Sequence, residues 1–314
     1  MAHSRFRPYL RRVRSLLIRV LYYTAARALA VLPWGTVQFL GARLGGGIYH
    51  LLRRDRRRAL THLAIAFPEL QEAERVRIAR AAWRHIATAA FEVLHLAGRS
   101  PADASRHVEV VGFEHVERLR EKRQAVVVLT AHCGNWELIS TVNHSHGLGL
   151  AAVARQITDP FLDQIVVGFR GHLGSETIAR GSPGSPRKLL RTLRNRGALV
   201  LLIDQDIDTD GVWVPFFGRL AHTPRAATDL AQRLGAGVVP TFAERRPDGS
   251  HRVTFHPPLE LPACPLTATA IMTRAIEEQI RRRPEQWVWF HRRWRRPPPE
   301  DPTRVLAVDV TLDV

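Results

Sequence analysis

The stretch that decides the fold is Ala125-Val-Val-Val-Leu-Thr-Ala-His-Cys-Gly-Asn-Trp-Glu-Leu138. Its first six residues are apolar or β-favouring, which is typical of a strand that is buried on both faces, as in a parallel sheet. The strand ends just before His132. Because ligands of open α/β sheets bind at the carboxyl ends of the strands, the sequence predicts a functional site around this histidine.

Further apolar runs of strand length follow along the chain, separated by stretches with helical periodicity. They cover residues 148–154, 199–203, 238–243 and 253–256. This alternation predicts an α/β fold with a mostly parallel central sheet and helices on both faces. One crossover helix has clear ends, with Ser185 as its N-cap, Pro186 as its first residue and Gly197 beyond its last turn.

The N-terminal part of the chain has a different character. Residues 16–52 are strongly apolar but are interrupted by three arginines, and Pro33-Trp34-Gly35 breaks their middle. The longest stretch without charge, residues 28–42, is shorter than the roughly 20 residues of a spanning helix. We therefore expect two helices in the membrane interface, flanked by arginine clusters around residues 11–14 and 53–58. A tilted span and a buried hairpin remain alternatives.

These patterns divide the chain into three regions. Residues 1–58 form a basic, apolar, helical segment that we expect to anchor the protein to a membrane. Residues 59–296 form the α/β domain, which begins with a helix over residues 56–67 and a long amphipathic helix over residues 72–96. Residues 297–314 form a C-terminal tail that opens with three prolines.

The charge of the chain favours a negative partner. Lys and Arg number 46 against 29 Asp and Glu, which gives a net charge of +17. Such a surplus attracts polyphosphates, anionic bilayers or acidic carrier proteins, although a general bias toward arginine would also produce it. The two cysteines, Cys133 and Cys264, are too few and too far apart for a disulfide framework or a cysteine-based zinc site. The arginine-rich start lacks a cleavage pattern, so we expect it to remain inside the cell.

The chemistry is predicted to lie between His132 and Glu137. On one continuous helix, residues five apart point about 140° away from each other, so these side chains meet only if the chain turns between them. Gly134 allows a turn, Asn135 is a favoured N-cap, and Glu137 then opens a helix. A carboxylate that pairs with a histidine fixes its tautomer and leaves the other nitrogen free to take a proton from an alcohol. The spacing alone is weak, and a satisfied interior histidine is the alternative.

At this point the chain resembles a known family. The matching segments are Ala66-Phe-Pro-Glu69, Gly112-Phe-Glu-His115, Leu129 to Leu138, Asp204-Gln-Asp206, Gly211-Val-Trp-Val-Pro-Phe-Phe-Gly218, Val239-Pro240 and Pro284-Glu-Gln-Trp-Val-Trp-Phe-His-Arg-Arg-Trp294. They resemble the late acyltransferases of lipid A biosynthesis (lauroyl and myristoyl transferases), within the wider lysophospholipid and glycerolipid acyltransferase group with its His-x-x-x-x-Asp/Glu motif. Two departures are Cys133, where the family commonly has Phe, and Arg225, where Gly often follows Thr-Pro.

The resemblance implies an enzyme at the cytoplasmic face of the inner membrane that needs no metal or other cofactor. Its expected reaction moves a fatty acyl chain from acyl carrier protein or acyl-CoA to a hydroxyl of a lipid A precursor, without an acyl-enzyme. In this reaction His132 is the general base and Glu137 its partner.

The predicted substrate-binding residues are Asn135, Arg155, Asp204 and Asp206. Arg155 follows the strand over residues 148–154, so its guanidinium group is expected at the carboxyl edge, where it can bind phosphate or form a structural ion pair. Asp204 and Asp206 follow the strand over residues 199–203 and could orient Arg155 or a sugar hydroxyl. Binding of a divalent metal by the two aspartates is a lesser alternative.

Two other functions compete with this interpretation. The first is the same chemistry on a lysophospholipid or a mannosylated phosphoinositide, which the sequence does not distinguish. The second is a non-catalytic basic protein that binds membrane or nucleic acid through its arginines. Electrostatic binding does not require a histidine and a glutamate in a strand–turn–helix unit, so we expect an enzyme without a nucleic-acid partner. The chain lacks the Gly-x-Ser-x-Gly motif of serine hydrolases and the phosphate-binding loop of P-loop NTPases.

Overall fold

The buried strand that precedes His132 lies at the centre of a seven-stranded sheet. The computed structural model describes residues 19–20 and 22–306. The strands in this part of the chain are β1 Val108–Val111, β2 Val126–Thr130, β3 Leu150–Ala154, β4 Glu176–Ala179, β5 Ala198–Leu202, β6 Gly211–Phe216, β7 Arg219–Pro224, β8 Gly237–Arg245 and β9 His251–Phe255. The central sheet has the order β1-β9-β8-β2-β5-β3-β4, and β6 and β7 form a separate antiparallel hairpin.

The predicted parallel sheet is confirmed. Strands β8, β2, β5, β3 and β4 run in one direction. The remaining pair, β1 and β9, runs in the opposite direction, and β9 joins the sheet through an antiparallel pairing with β8. Each strand predicted from an apolar run is present. Strands β1 and β4, which are four-residue edge strands with few buried side chains, and the hairpin were not predicted.

The helices lie on both faces of the sheet, and those of the N-terminal region and the crossover helix after residue 185 were predicted individually. They are α1 Trp34–Leu51, α2 Arg53–Ala66, α3 Glu72–Ala97, α4 Pro101–Ser105, α5 Glu114–Glu121, α6 Val142–His146, α7 Pro160–His172, α8 Ser185–Arg194, α9 Ala226–Leu234 and α10 Pro265–Arg282, with short 3-10 helices at Trp136–Thr141, Pro284–Gln286 and Pro302–Arg304. The predicted boundary at residue 58 lies within α2. Helix α8 starts one residue earlier than predicted, because Gly184 is its N-cap and the Ser185 hydroxyl bonds instead to Ser182 and the Ala179 carbonyl.

The core has two layers, one on each side of the sheet, and β2 contributes alternately to both. Val127 and Leu129 pack in a layer built mainly from α2, α3, α9 and α10. Val126 and Val128 pack with α5 and with residues of β9 in the opposite layer. Strand β2 is therefore buried on both faces, as its unbroken apolar sequence predicts.

The N-terminal helices meet at the predicted break. Residues 22–30 are helical, and α1 begins at Trp34 immediately after Pro33. No helix in the described part of the chain has the length and apolarity that crossing a membrane requires. The first arginine cluster and the end of the C-terminal tail, residues 307–314, lie outside the described residues.

Helix α1 packs on α3 through a stripe of small residues. Gly41 and Gly45 are buried on this face, together with Val37 and Tyr49. A Cβ atom added to Gly45 would lie 2.4 Å from the Trp83 carbonyl oxygen and 2.7 Å from the Arg84 Cα atom. The two helix backbones therefore approach closely enough that only glycine fits, as in small-residue helix pairs of membrane proteins.

We expect Gly45→Ala to lower the free energy of unfolding by about 1–3 kcal/mol, because the added methyl group must push α1 away from α3. Gly47→Ala is a matched control, since a Cβ atom there meets nothing within 4 Å. The control should be neutral or more stable by up to about 1 kcal/mol, because alanine is the better helix former. Denaturant unfolding of both variants measures the difference. Equal stability of the two variants would contradict the close packing.

One buried histidine, His62, should make the stability of the protein depend on pH. His62 on α2 is buried, and its Nδ1 lies 2.8 Å from the Trp289 carbonyl oxygen. Burial lowers its pKa to about 4, although the bond to Trp289 raises it. The unfolded chain, with an ordinary histidine pKa of about 6.5, binds this proton more readily. Stability that His62 contributes is therefore present above pH 6.5 and is lost as the pH falls toward 4.

Between pH 7 and pH 5, the free energy of unfolding of the parent should fall by about 1–2 kcal/mol more than that of His62→Gln. Urea unfolding at both pH values measures this difference. The exposed His144 provides the control, and His144→Gln should follow the parent. A His62→Gln variant with the same pH dependence as the parent would show that His62 is protonated as easily in the folded chain as in the unfolded one.

Candidate active site

His132 pairs with Asp204, and the register of the sheet brings them together. Strands β2 and β5 are parallel neighbours in which Thr130 lies opposite Leu202. His132 and Asp204 each follow two residues later, at the same carboxyl edge. The His132 Nδ1 lies 2.8 Å from Asp204 Oδ1, and the His132 backbone N–H donates to Asp204 Oδ2 at 2.9 Å. The aspartate thus holds both the ring and the backbone of the histidine.

The Asp204 carboxylate is buried and stays charged. Its side chain is 1% exposed, and Trp287 Nε1 donates a further hydrogen bond to Oδ2 at 2.8 Å. Burial alone would raise the pKa of Asp204, but His132 and the three hydrogen bonds outweigh it and lower the pKa to about 2. A charged Asp204 accepts a hydrogen bond from the Nδ1–H group, which leaves the Nε2 atom of His132 unprotonated and free to act as a base. The His132 side chain is 23% exposed, so this nitrogen is accessible.

Glu137 does not contact His132 in the described part of the chain, which corrects the expected pairing. Its carboxylate forms a bidentate ion pair with Arg170 of α7, whose Nε and Nη2 donate to Oε2 and Oε1, both at 2.7 Å. Trp136 Nε1 also donates to Oε1 at 3.0 Å, and the Trp136 ring lies edge-on to the His132 ring, with centroids 4.9 Å apart. Glu137 is therefore linked to the histidine only through the intervening tryptophan.

The turn after His132 depends on Gly134, as predicted. Its φ is +60°, and an added Cβ atom would lie 1.4 Å from the Ala243 carbonyl oxygen of β8. The following segment, Trp136–Thr141, is a 3-10 helix. The Asn135 side chain forms no capping hydrogen bond to this helix, so the predicted N-cap role of Asn135 is wrong.

The Asn135 side chain instead belongs to a buried polar network behind the turn. Its amide donates to Glu92 Oε2 at 2.9 Å. Arg245 donates to both oxygens of Glu92, and His251 Nε2 lies 3.2 Å from Oε2. Burial alone would raise the pKa of Glu92, but Arg245 and His251 hold it well below its ordinary value. Asn135 is 2% exposed, so its predicted contact with substrate is not supported.

The other predicted substrate residues lie at the expected edge but do not act together. Arg155 directly follows β3, is exposed, and makes no hydrogen bond or ion pair with another described residue. Asp204 and Asp206 therefore do not orient it. The Asp206 carboxylate is buried and binds the C-terminal segment, with Arg296 Nε at 3.0 Å from Oδ1 and the Arg296 backbone N–H at 3.2 Å from Oδ2. Asp206 holds a loop in place, and Arg155 remains free for a ligand.

Further residues of the site come from the C-terminal segment. Burial lowers the pKa of His291 to about 4, while Asp204 raises it and His132 lowers it, so the ring is electrostatically coupled to both. Arg293 is fully buried, donates to Thr223 Oγ1 at 2.6 Å and to the His222 carbonyl, and lies over the Phe216 ring. Neither His291 nor Arg293 was among the predicted site residues, although residues 284–294 form one of the segments that carry the family resemblance.

The arrangement can therefore activate a hydroxyl group. It provides an accessible imidazole nitrogen whose opposite nitrogen is fixed on a buried carboxylate, which is the geometry of a general base. The charged Asp204 would also stabilise an imidazolium if the ring accepted a proton.

Comparison with known proteins agrees with this chemistry. Residues 4–296 match the family model described as bacterial lipid A biosynthesis acyltransferase. The lipid A biosynthesis acyltransferase of Haemophilus influenzae is 25% identical over 264 residues, which cover 83% of this chain and 82% of that protein. The lipid A biosynthesis myristoyltransferase of Escherichia coli is 30% identical over 255 residues, covering 79% and 78% of the two chains.

A relative with another acceptor also matches. The phosphatidylinositol mannoside acyltransferase of Mycobacterium tuberculosis is 26% identical over 214 residues, which cover 65% of this chain and 66% of that protein. The family model spans nearly the whole chain, including both members of the His132–Asp204 pair and the Glu137–Arg170 pair. The chain is an acyltransferase and belongs to the bacterial lipid A biosynthesis acyltransferase family.

Proposed function

We propose that the protein transfers a fatty acyl chain from acyl carrier protein or acyl-CoA to a hydroxyl of a lipid A precursor, with His132 as general base and Asp204 as its partner. The observation that carries this proposal is the 2.8 Å contact between His132 Nδ1 and the buried Asp204 carboxylate, which leaves Nε2 free. Asp204 takes the place that the sequence analysis gave to Glu137.

The reaction that we propose begins at the free Nε2 atom of His132. His132 Nε2 accepts the proton of the acceptor hydroxyl as its oxygen attacks the carbonyl carbon of the thioester donor. The carbon–sulfur bond then breaks, and the leaving sulfur takes the proton from the imidazolium. A general base typically contributes roughly 10²- to 10⁴-fold, so positioning and stabilisation of the oxyanion must supply the remainder.

Glu137 has a positioning role in this proposal. Its bidentate bond to Arg170 ties the 3-10 helix after the turn to α7, and Trp136 lies between the glutamate and the histidine ring. A bidentate ion pair between two mostly buried side chains defines an orientation closely. The pair therefore holds the Trp136 ring, and through it the His132 ring, in position for proton transfer.

Two observations bear on the acceptor. The relatives from Haemophilus influenzae and Escherichia coli, which cover 83% and 79% of this chain, are named for lipid A biosynthesis, and this favours a lipid A precursor. The mycobacterial relative is named for a phosphatidylinositol mannoside, so a mannosylated phosphoinositide is the second candidate acceptor. Both are anionic glycolipids, and Arg155 is the exposed cation at the carboxyl edge that we propose binds the acceptor phosphate.

We further propose that the enzyme acts at the cytoplasmic face of the inner membrane. One side of α1 exposes Leu40, Leu44 and Leu51, which share a face of the helix at intervals of four and seven residues. Arginines flank this stripe at positions 43, 53 and 54. An apolar stripe with cationic neighbours is typical of a helix that lies in the membrane interface.

The first test combines the reaction with the proposed dyad. Purified parent protein, given acyl carrier protein or acyl-CoA thioesters and a panel of lipid acceptors, should produce an O-acylated glycolipid that mass spectrometry identifies. His132→Ala and Asp204→Asn should each lose roughly 10²-fold or more in rate. Because the two residues act as one unit, the double variant should be about as slow as His132→Ala. Near-parental transfer by folded His132→Ala would refute the mechanism.

The second test asks whether Glu137 acts through Arg170. Glu137→Gln leaves the Arg170 guanidinium without its carboxylate, and Arg170→Gln leaves the carboxylate without its cation, so each should slow transfer by roughly tenfold or more. The double variant removes both charges and should be no slower than the slower single variant. Arg170→Lys should restore activity only in part, because an ammonium group cannot reproduce the bidentate fork. Independent, multiplying effects would instead place Glu137 in contact with substrate.

A further inference from the structure

A groove runs between α1 and α3 on the side of the molecule formed by the N-terminal helices. It has a volume of about 710 Å³. From α1 it is lined by Ala42, Arg43, Gly46, Gly47 and His50. From α3 it is lined mainly by Arg77, Arg80 and Arg84, whose spacing of three and four residues places them on one helix face. None of these residues belongs to the active site described above.

The groove is strongly cationic, and its charges are almost uncompensated. Within the described residues, the only carboxylate within 4 Å of its four guanidinium groups is Glu74, at 3.9 Å from Arg77. Arg80 makes a 3.1 Å contact with His50 across the groove, and Arg43 lies over the exposed Phe39 ring. Arginine side chains held close together without acidic partners repel one another, and an anion between them relieves that repulsion.

Two glycines keep the groove open. A Cβ atom added to Gly47 meets nothing within 4 Å, and one added to Gly46 meets only the Arg84 side chain, at 4.0 Å. These positions therefore differ from Gly41 and Gly45 on the same helix, where packing against α3 requires glycine. No packing constraint explains Gly46 and Gly47, and both cost helix stability. Their effect is to leave room beside the arginines for a ligand.

An apolar surface borders the groove. Leu40, Leu44 and Leu51 are 39%, 49% and 77% exposed on the adjacent face of α1. A surface that presents exposed leucines next to a concave arginine cluster suits a molecule with an apolar chain and an anionic head. An acidic protein would pair with the arginines but would leave the leucines in water.

We propose that this groove binds the phosphate-bearing headgroup of an anionic membrane phospholipid, with the acyl chains of that lipid lying along the leucine face of α1. The bound lipid is a resident of the membrane and not the acyl acceptor. The proposal is independent of the acyl-transfer chemistry, because its site and its readout are separate from His132. Arg80 and Arg84 on α3 and Arg43 on α1 provide the phosphate contacts.

The test measures lipid binding by the full-length protein. Dihexanoyl-phosphatidylglycerol below its micelle concentration should bind more tightly than dihexanoyl-phosphatidylcholine and than inorganic phosphate, as followed by isothermal titration. Arg80→Gln/Arg84→Gln should weaken phosphatidylglycerol binding by at least about tenfold, since each arginine near an anionic lipid contributes about one kilocalorie per mole. The matched control is Arg187→Gln/Arg194→Gln on the exposed side of α8, which removes the same charge and should bind like the parent.

A second variant tests whether phospholipid binding depends on the shape of the groove as well as on its charge. Gly46→Gln keeps every arginine but fills the groove, and it should also weaken phosphatidylglycerol binding by tenfold or more. Gly171→Gln on α7, where an added Cβ atom meets nothing within 4 Å, is its control. Circular dichroism confirms that each variant folds. Equal losses in test and control variants, or unchanged binding by Gly46→Gln, would overturn the proposal. Loss of acyl carrier protein binding with normal phospholipid binding would also overturn it, by assigning the groove to the carrier.

Discussion

The structure depends above all on the burial of one carboxylate. Asp204 lies at the centre of the parallel sheet's carboxyl edge, and it accepts hydrogen bonds from the His132 ring, the His132 backbone and Trp287. An unpaired charge at this depth would cost several kcal/mol, so the three donors must all be present in the folded chain. The requirement links β2, β5 and the C-terminal segment at one point. It also gives His132, the base that we propose, a defined tautomer before any substrate arrives.

Two further acids, the buried Glu92 and the partly buried Glu137, hold the chain segments that follow His132. Glu137 is held by Arg170 from α7, and Glu92 is held by Arg245 and His251 beneath the turn. Ion pairs of this kind add little to stability, because desolvation offsets most of the attraction. These ion pairs instead fix the positions of the chain segments that they join. The Asn135–Glu92 bond and the Glu137–Arg170 bond both hold the segment that directly follows the turn at Gly134.

The fold was predictable because its signals are local, whereas the partner of His132 was not. Unbroken apolar runs identified β2, β3, β5, β8 and β9, and Pro33 identified the break between the first helices. Strands β1 and β4 are edge strands of only four residues with at most one buried residue each, so their apolar sequence signal is short and weak. Glu137 was assigned to His132 because they are close in sequence. Asp204 is 72 residues away, and its contact depends on the Thr130–Leu202 register, which requires knowing that β2 and β5 are neighbours. The available signal was that both residues come shortly after a predicted strand.

Helix α1 has three faces that differ in their residues and in their surroundings. Its buried stripe uses glycine to bring the backbone against α3, which leaves no room for the side chains that usually stabilise a helix pair in water. The packing therefore depends on backbone contact and on Val37 and Tyr49 at either end of the stripe. The next face carries the arginine groove, and the third exposes leucines. A helix in water would lose stability from both the exposed leucines and the uncompensated arginines, whereas at an anionic bilayer each of these features finds a partner. The composition of α1 is consequently more compatible with a membrane surface than with bulk water, which agrees with the membrane location and the lipid-binding groove that we propose.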